Sequence, residues 1–183
     1  MRVKQFSALR GREHQCIGNN LNELLIDRLP LVVLKRRDRS AVSRIKQMLF
    51  GGFNRCLYPL QKFHSDTERR FAVILERDAD KWFKPAKGQF QIFYKVGTEQ
   101  PEYIPDFVAE TGSLVLMAET KARGDLGSQE VQAKAAAARR WCKDASDHAA
   151  TVGGKPWRYL LLPHDEITES KRLVDFLRFE VKG

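Results

Sequence analysis

Apolar residues are spaced in two ways along this chain, and the change falls near residue 80. Upstream, three helix starts can be read from caps. Asn20 precedes Leu21, Leu24, Leu25 and Leu29. Ser40 precedes Val42, Ile45 and Leu49, and that run stops at Gly51-Gly52. Ser65 precedes Phe71, Ile74 and Leu75, and Ser65-Asp66-Thr67-Glu68 has the form of a capping box, with Glu68 placed to reach back to the N–H of the cap residue.

Downstream, residues 89–96 alternate Phe90, Ile92, Tyr94 and Val96 with polar neighbours, the pattern of a half-buried strand. Residues 103–110 and 113–121 read as a hairpin about Thr111-Gly112. Both faces of the second arm are apolar, with Val115 and Met117 on one and Leu114, Leu116 and Ala118 on the other, so it is expected to be a central strand covered from both sides. Ser128 opens a long helix through Ala145 with Val131, Ala135, Ala138, Trp141 and Cys142 on its apolar stripe. Residues 157–162 read as a strand and residues 168–179 as an amphipathic helix, and residues 145–156 as a flexible connection. The pattern predicts an α/β fold with a mixed sheet of four or five strands flanked by helices.

Charge divides the chain differently. Residues 1–63 hold 13 Lys and Arg against 4 Asp and Glu, whereas residues 64–183 hold 19 of each, so the whole net charge of +9 comes from the first third. The sharpest cluster is Lys35, Arg36, Arg37 and Arg39, which reads equally as a phosphate-contacting patch and as a solvated connector. The expected organisation is a basic, mainly helical segment over residues 1–60, acting as a connector or as an arm for a polyanion, followed by an electrically balanced domain over residues 61–183. The apolar runs at 31–34 and 114–118 are far shorter than the roughly 20 residues of a membrane span. No membrane partner is expected, and with no signal-peptide pattern and three widely spaced cysteines the expected location is cytoplasmic.

Several chemistries are excluded by spacing. Gly153-Gly154-Lys155-Pro156 is not a P-loop, so no ATP site is expected, and His14, His64, His148 and His164 have no zinc-ligand spacing. What remains is Pro105-Asp106 on one arm of the hairpin and Glu119-Thr120-Lys121 at the end of the other. A two-residue turn at Thr111-Gly112 sets Asp106 opposite Met117, with Asp106, Glu119 and Lys121 on one face and the two carboxylates diagonal neighbours. Carboxylates on an apolar strand are costly to bury unless they are paired or bind a metal. Pro105 removes a ladder donor where the strands should diverge. The functional reading is a Mg²⁺ site, with Mn²⁺ as a substitute, held by Asp106, Glu119 and the carbonyl of Thr120, beside Lys121 to orient water and stabilise charge on a phosphate. The alternative is a structural ion pair.

Tyr103-Ile104-Pro105-Asp106-Phe107-Val108, the thirteen-residue step to Glu119, and Glu119-Thr120-Lys121 resemble the signature of PD-(D/E)XK nucleases. With Glu68, Trp82-Phe83-Lys84-Pro85, Lys134-Ala135, Trp141 and Trp157-Arg158-Tyr159, the stretch from about residue 60 to 165 is similar to the C-terminal nuclease domain of type III restriction enzyme restriction subunits. The resemblance implies a restriction-endonuclease-like core and Mg²⁺-dependent cleavage of double-stranded DNA. It also implies an ATP-driven helicase-like motor upstream in the same polypeptide and a separate methyltransferase subunit. It makes Glu68, Asp106, Glu119 and Lys121 the catalytic set, with Glu68 equally explained as a helix cap, and it adds Lys134 to Arg36, Arg37 and Arg39 as a candidate phosphate contact. Two rival readings share these residues: a repair nuclease or junction resolvase with the same core, and a DNA-binding module that no longer catalyses.

Overall fold

The computed structural model describes residues 45–182. The helix starting at Asn20 and the Lys35, Arg36, Arg37 and Arg39 cluster lie outside the described residues. A four-stranded mixed sheet carries the domain, in the order β1 (Lys81–Phe83), β4 (Phe107–Glu110), β5 (Val115–Lys121), β6 (Trp157–Pro163). β1 and β5 run antiparallel to β4, and β6 runs parallel to β5. A separate two-stranded ribbon pairs β2 (Ile92–Phe93) with β3 (Glu102–Tyr103).

β5 is central, as its two apolar faces predict, and each face is covered by a different helix. Leu116 and Ala118 join Trp82, Phe107, Leu160 and Leu162 in a core completed by Phe71, Ile74 and Leu75 of α1 (Asp66–Asp78). Ile45, Phe50 and Phe63, upstream of that helix, pack into the same core. Val115 and Met117 point the other way, with Val108 and Tyr159, against Ala135, Ala138 and Cys142 of α2 (Gln129–Thr151). α2 starts where its cap predicts, the Ser128 hydroxyl accepting from the N–H of Val131. It runs six residues beyond Ala145, so most of the expected flexible connection is helix. Between α2 and β6, the side chain of Lys155 ties the backbone to Glu110 (2.8 Å) and to the Thr111 carbonyl (2.6 Å).

Several expectations about strands and helices are corrected. The strand over 89–96 shrinks to Ile92–Phe93, because Gln91 has φ 52° and breaks the extended run. The strand over 103–110 is two pieces in two sheets, split at Ile104-Pro105-Asp106. Trp82-Phe83 is itself part of the edge strand β1, since the apolar pair is too short to show a period but Trp82 and Phe83 are each buried on opposite faces of the sheet. The terminal helix is a 3-10 helix confined to Leu173–Phe179. Residues 40–49 likewise show only a 3-10 turn, Ile45–Gln47, in their described part.

The hairpin register is also corrected. Thr111 and Leu114 close a four-residue connection: the Thr111 N–H donates to the Leu114 carbonyl (2.8 Å), and the Thr111 hydroxyl accepts from the Leu114 N–H (3.1 Å). Met117 therefore faces Val108 rather than Asp106, and Ala118 faces Phe107. The slip is two residues, so no side chain changes face. Continued one step past β4, it brings Asp106 level with Glu119 rather than diagonal to it.

Candidate active site at the end of strands β4 and β5

Hydrogen-bonded pairs alternate along an antiparallel ladder. Here they step from Thr111/Leu114 through Phe107/Ala118, and the next would be Pro105/Thr120. Proline has no N–H to give, so the ladder ends there and the chain leaves towards β3. Asp106 fills part of the gap: its Oδ2 accepts from both the N–H and the hydroxyl of Thr120, each at 2.8 Å. The Thr120 carbonyl lies on the same edge as its N–H and receives no ladder donor from Pro105.

Glu119 sits behind this edge, 5% exposed. Its Oε1 takes the ammonium of Lys121 at 2.7 Å and its Oε2 accepts from the hydroxyl of Tyr103 at 3.0 Å. Burial, and then the charge of Asp106, lift the Glu119 carboxyl to about 7, with Lys121 and Tyr103 opposing the shift. Asp106 is raised too, by burial first and then by Glu68, against the pull of Lys84 and the two bonds from Thr120. Burial would depress the Lys121 ammonium, but attraction to Glu119 outweighs it and the net shift is upward.

In front lies a cleft of about 370 Å³ lined by Ser65, Thr67, Glu68, Asp106, Thr120, Lys121, Ala122 and His164. The first turn of α1 brings in Glu68, whose N–H donates to the Ser65 hydroxyl (3.1 Å) as a capping box requires. The return bond differs from expectation: Glu68 Oε2 accepts from the N–H of His64 (3.1 Å), one residue before the cap. The same oxygen takes Lys84 Nζ at 2.6 Å. Lys84 in turn lies 4.6 Å from the centre of the Phe107 ring.

The structure therefore brings Asp106, Glu119, Thr120, Lys121 and Glu68 to one cleft and its rear wall. Lys134 does not line the cleft: it is paired with Glu130 (2.6 Å), 5.2 Å from the centre of the Tyr94 ring, and both it and Glu130 feel the charge of Lys121. Gln132 binds the Leu126 carbonyl at 2.6 Å. Sequence reasoning gave no role to Lys84 or Tyr103. Tyr103 opens the expected strand 103–110 and Lys84 precedes that over 89–96, and only the break at Pro105 and the turn before β2 carry them to the carboxylates. Trp82 is a core anchor, fully buried with its Nε1 on Glu76 at 2.8 Å.

Among the described residues no three His, Cys, Asp or Glu side chains form a ready cage for a metal ion. Mg²⁺ does not need one, since it commonly keeps several waters and takes one or two carboxylates. The buried Glu119 and the half-buried Asp106, beside a strand carbonyl that its proline neighbour leaves without a ladder donor, are a donor set of that kind. No helix among the described residues is long and apolar enough to cross a membrane. No protein-family model matches the chain, and neither does any curated protein.

Proposed function

We propose that this chain is a Mg²⁺-dependent endodeoxyribonuclease domain of the PD-(D/E)XK type, acting on double-stranded DNA as the nuclease part of a type III restriction subunit. The observation that carries the reading is the end of the β4–β5 ladder at Pro105, which sets Asp106, Thr120 and Lys121 on one cleft with the buried Glu119 bonded to Lys121. On this reading Asp106, Glu119 and the Thr120 carbonyl hold Mg²⁺. Bound there, the ion supplies Lewis acidity and an activated water. Thr120 fixes the Asp106 carboxylate through two bonds and so orders it before substrate arrives. Lys121 lines the cleft and brings positive charge to the scissile phosphate. The partners that go with this reading are a helicase-like motor in the same polypeptide and a methyltransferase subunit.

Incubation of the full chain with supercoiled plasmid tests it. Nicking in Mg²⁺ or Mn²⁺ that a chelator stops, with little turnover in Ca²⁺, is the expected result. DNA retained on the chain with no Mg²⁺-dependent break would instead make it a binding module. If the N-terminal cluster serves the same substrate, neutralising Arg36, Arg37 and Arg39 flattens the salt dependence of binding, by up to roughly 0.9 in log–log slope for each duplex phosphate no longer neutralised. An unchanged slope would leave the cluster as a connector.

Glu68 separates into two roles by one substitution. Gln can replace Glu in accepting the His64 N–H, but it does not hold the Lys84 ammonium by charge. Glu68→Gln is expected to lower cleavage about tenfold, equivalent to about 1.4 kcal/mol in the barrier. Stability should fall by more than the roughly 1 kcal/mol of a missing cap, because the largely buried Lys84 ammonium loses its counter-charge. Thermal melting and plasmid nicking on one preparation check both, and full activity would leave Glu68 a purely structural role.

A further inference from the structure

Two tyrosine hydroxyls are buried behind the cleft, in a core that is otherwise apolar. Tyr103 is 3% exposed and Tyr159 2%. Tyr103 comes from the ribbon strand β3 and Tyr159 from β6, level with Met117 on β5. Their rings meet edge to face, with centroids 6.4 Å apart. The Tyr103 hydroxyl is 3.0 Å from Glu119 Oε2 and 3.4 Å from the Tyr159 hydroxyl. Packing alone does not account for these groups, because phenylalanine fills the same volume without the cost of taking a hydroxyl out of water. Their connection does: the Tyr103 hydroxyl bonds the buried Glu119 carboxylate, and the Tyr159 hydroxyl bonds that of Tyr103.

We propose that Tyr103, backed by Tyr159, is a positioning residue for Glu119, pinning Oε2 so that Oε1 is presented towards the cleft edge for a divalent cation, a role that rests on the nuclease reading of the site. Lys121 now occupies Oε1, so the two oxygens have different partners and different tasks. The ammonium is on a flexible, partly exposed stem and can be displaced, whereas Tyr103 is fixed by the ribbon and by the ring of Tyr159. Outer partners of this kind orient a ligand carboxylate, and their removal commonly weakens metal affinity 10- to 100-fold.

The test is calorimetric titration of the full chain with Ca²⁺ alone, alongside melting curves and plasmid nicking in Mg²⁺. Tyr103→Phe is expected to bind Ca²⁺ at least tenfold more weakly while still melting cooperatively, a few degrees below wild type for the lost buried hydrogen bond, and Tyr159→Phe to show a smaller loss of affinity of about two- to threefold. In nicking, saturating Mg²⁺ should restore part of the Tyr103→Phe rate, and KM for DNA should stay unchanged. Wild-type Ca²⁺ affinity in Tyr103→Phe would overturn the inference while leaving the nuclease reading standing. Should Tyr103→Phe fold poorly, wild-type affinity in Tyr159→Phe would overturn the support assigned to that hydroxyl. Wild-type protein that neither binds Ca²⁺ nor nicks DNA would remove the nuclease reading itself, and the inference with it.

Discussion

Asp106→Asn and Glu119→Gln should each reduce Mg²⁺-dependent cleavage by about a thousandfold or more, corresponding to at least about 4 kcal/mol in the barrier. Both substitutions keep the size of the side chain and remove one ligand charge. An asparagine in place of Asp106 still offers one amide oxygen to the N–H and hydroxyl of Thr120, so the fold is not the casualty. What disappears is anionic character at the proposed cation site, to which this reading assigns only two carboxylates. Lys121 adds an independent sign to the experiment. In Glu119→Gln its ammonium loses the partner at 2.7 Å, so the site gains net positive charge. DNA binding is therefore expected to hold or strengthen as cleavage disappears. Single-turnover nicking and filter binding on the same variants read the two effects separately, and cleavage at the wild-type rate in either variant would dismiss the carboxylate pair as the reacting centre.

The same burial makes the metal-free protein least comfortable at neutral and alkaline pH. Glu119 ionises near 7 in the fold against 4.5 for the free side chain, from burial and from Asp106. A carboxyl raised in this way binds its proton more tightly in the folded state, so its contribution is fully present below about 4.5 and is lost as pH rises towards 7. At about 1.4 kcal/mol per unit the loss is on the order of 3 kcal/mol. Asp106 shifts in the same direction and adds to it. Surface carboxylates such as Asp165 and the partly covered Glu166, held low by Arg123 and Lys171 respectively, act in the opposite sense and only at more acid pH.

Without divalent metal, Glu119→Gln should accordingly melt higher than wild type at pH 8, and the gap should close by pH 5. Mg²⁺ should raise the wild-type melting temperature at pH 8 and leave that of Glu119→Gln almost unmoved, since binding to the folded state alone stabilises by mass action. Parallel melting curves across this pH range in chelator and in Mg²⁺ check it. A gap that stays constant with pH would mean that Glu119 ionises normally in the fold.

Much of this site is legible in sequence because alternation survives a register error. Asp106, Glu119 and Lys121 are assigned to one strand end by parity, and the true slip is two residues, which preserves parity. A slip of one would have put Asp106 on the other face. The central position of β5 is equally legible, since a strand apolar on both faces must be covered twice. The turn length is not, because Thr111 closes the loop with its hydroxyl, and that bond to Leu114 leaves no periodic trace. β1 escapes notice because Lys81–Phe83 is shorter than any period. Tyr103 and Lys84 have meaning only through distances set by Pro105 and by the turn between β1 and β2. Proline itself is the readable sign: a residue with no N–H, placed where a carboxylate and a strand carbonyl then take over the ladder's edge.

Asp106 and Glu119 jointly holding the ion that cleavage requires is the centre of the proposed function. Titration of the full chain with Mn²⁺, following free ion by electron paramagnetic resonance, measures this without DNA or turnover. Mn²⁺ is expected to bind wild type and to bind at least tenfold more weakly in both Asp106→Asn and Glu119→Gln, with both variants folded. Mn²⁺ bound equally well by wild type and by either variant would contradict it.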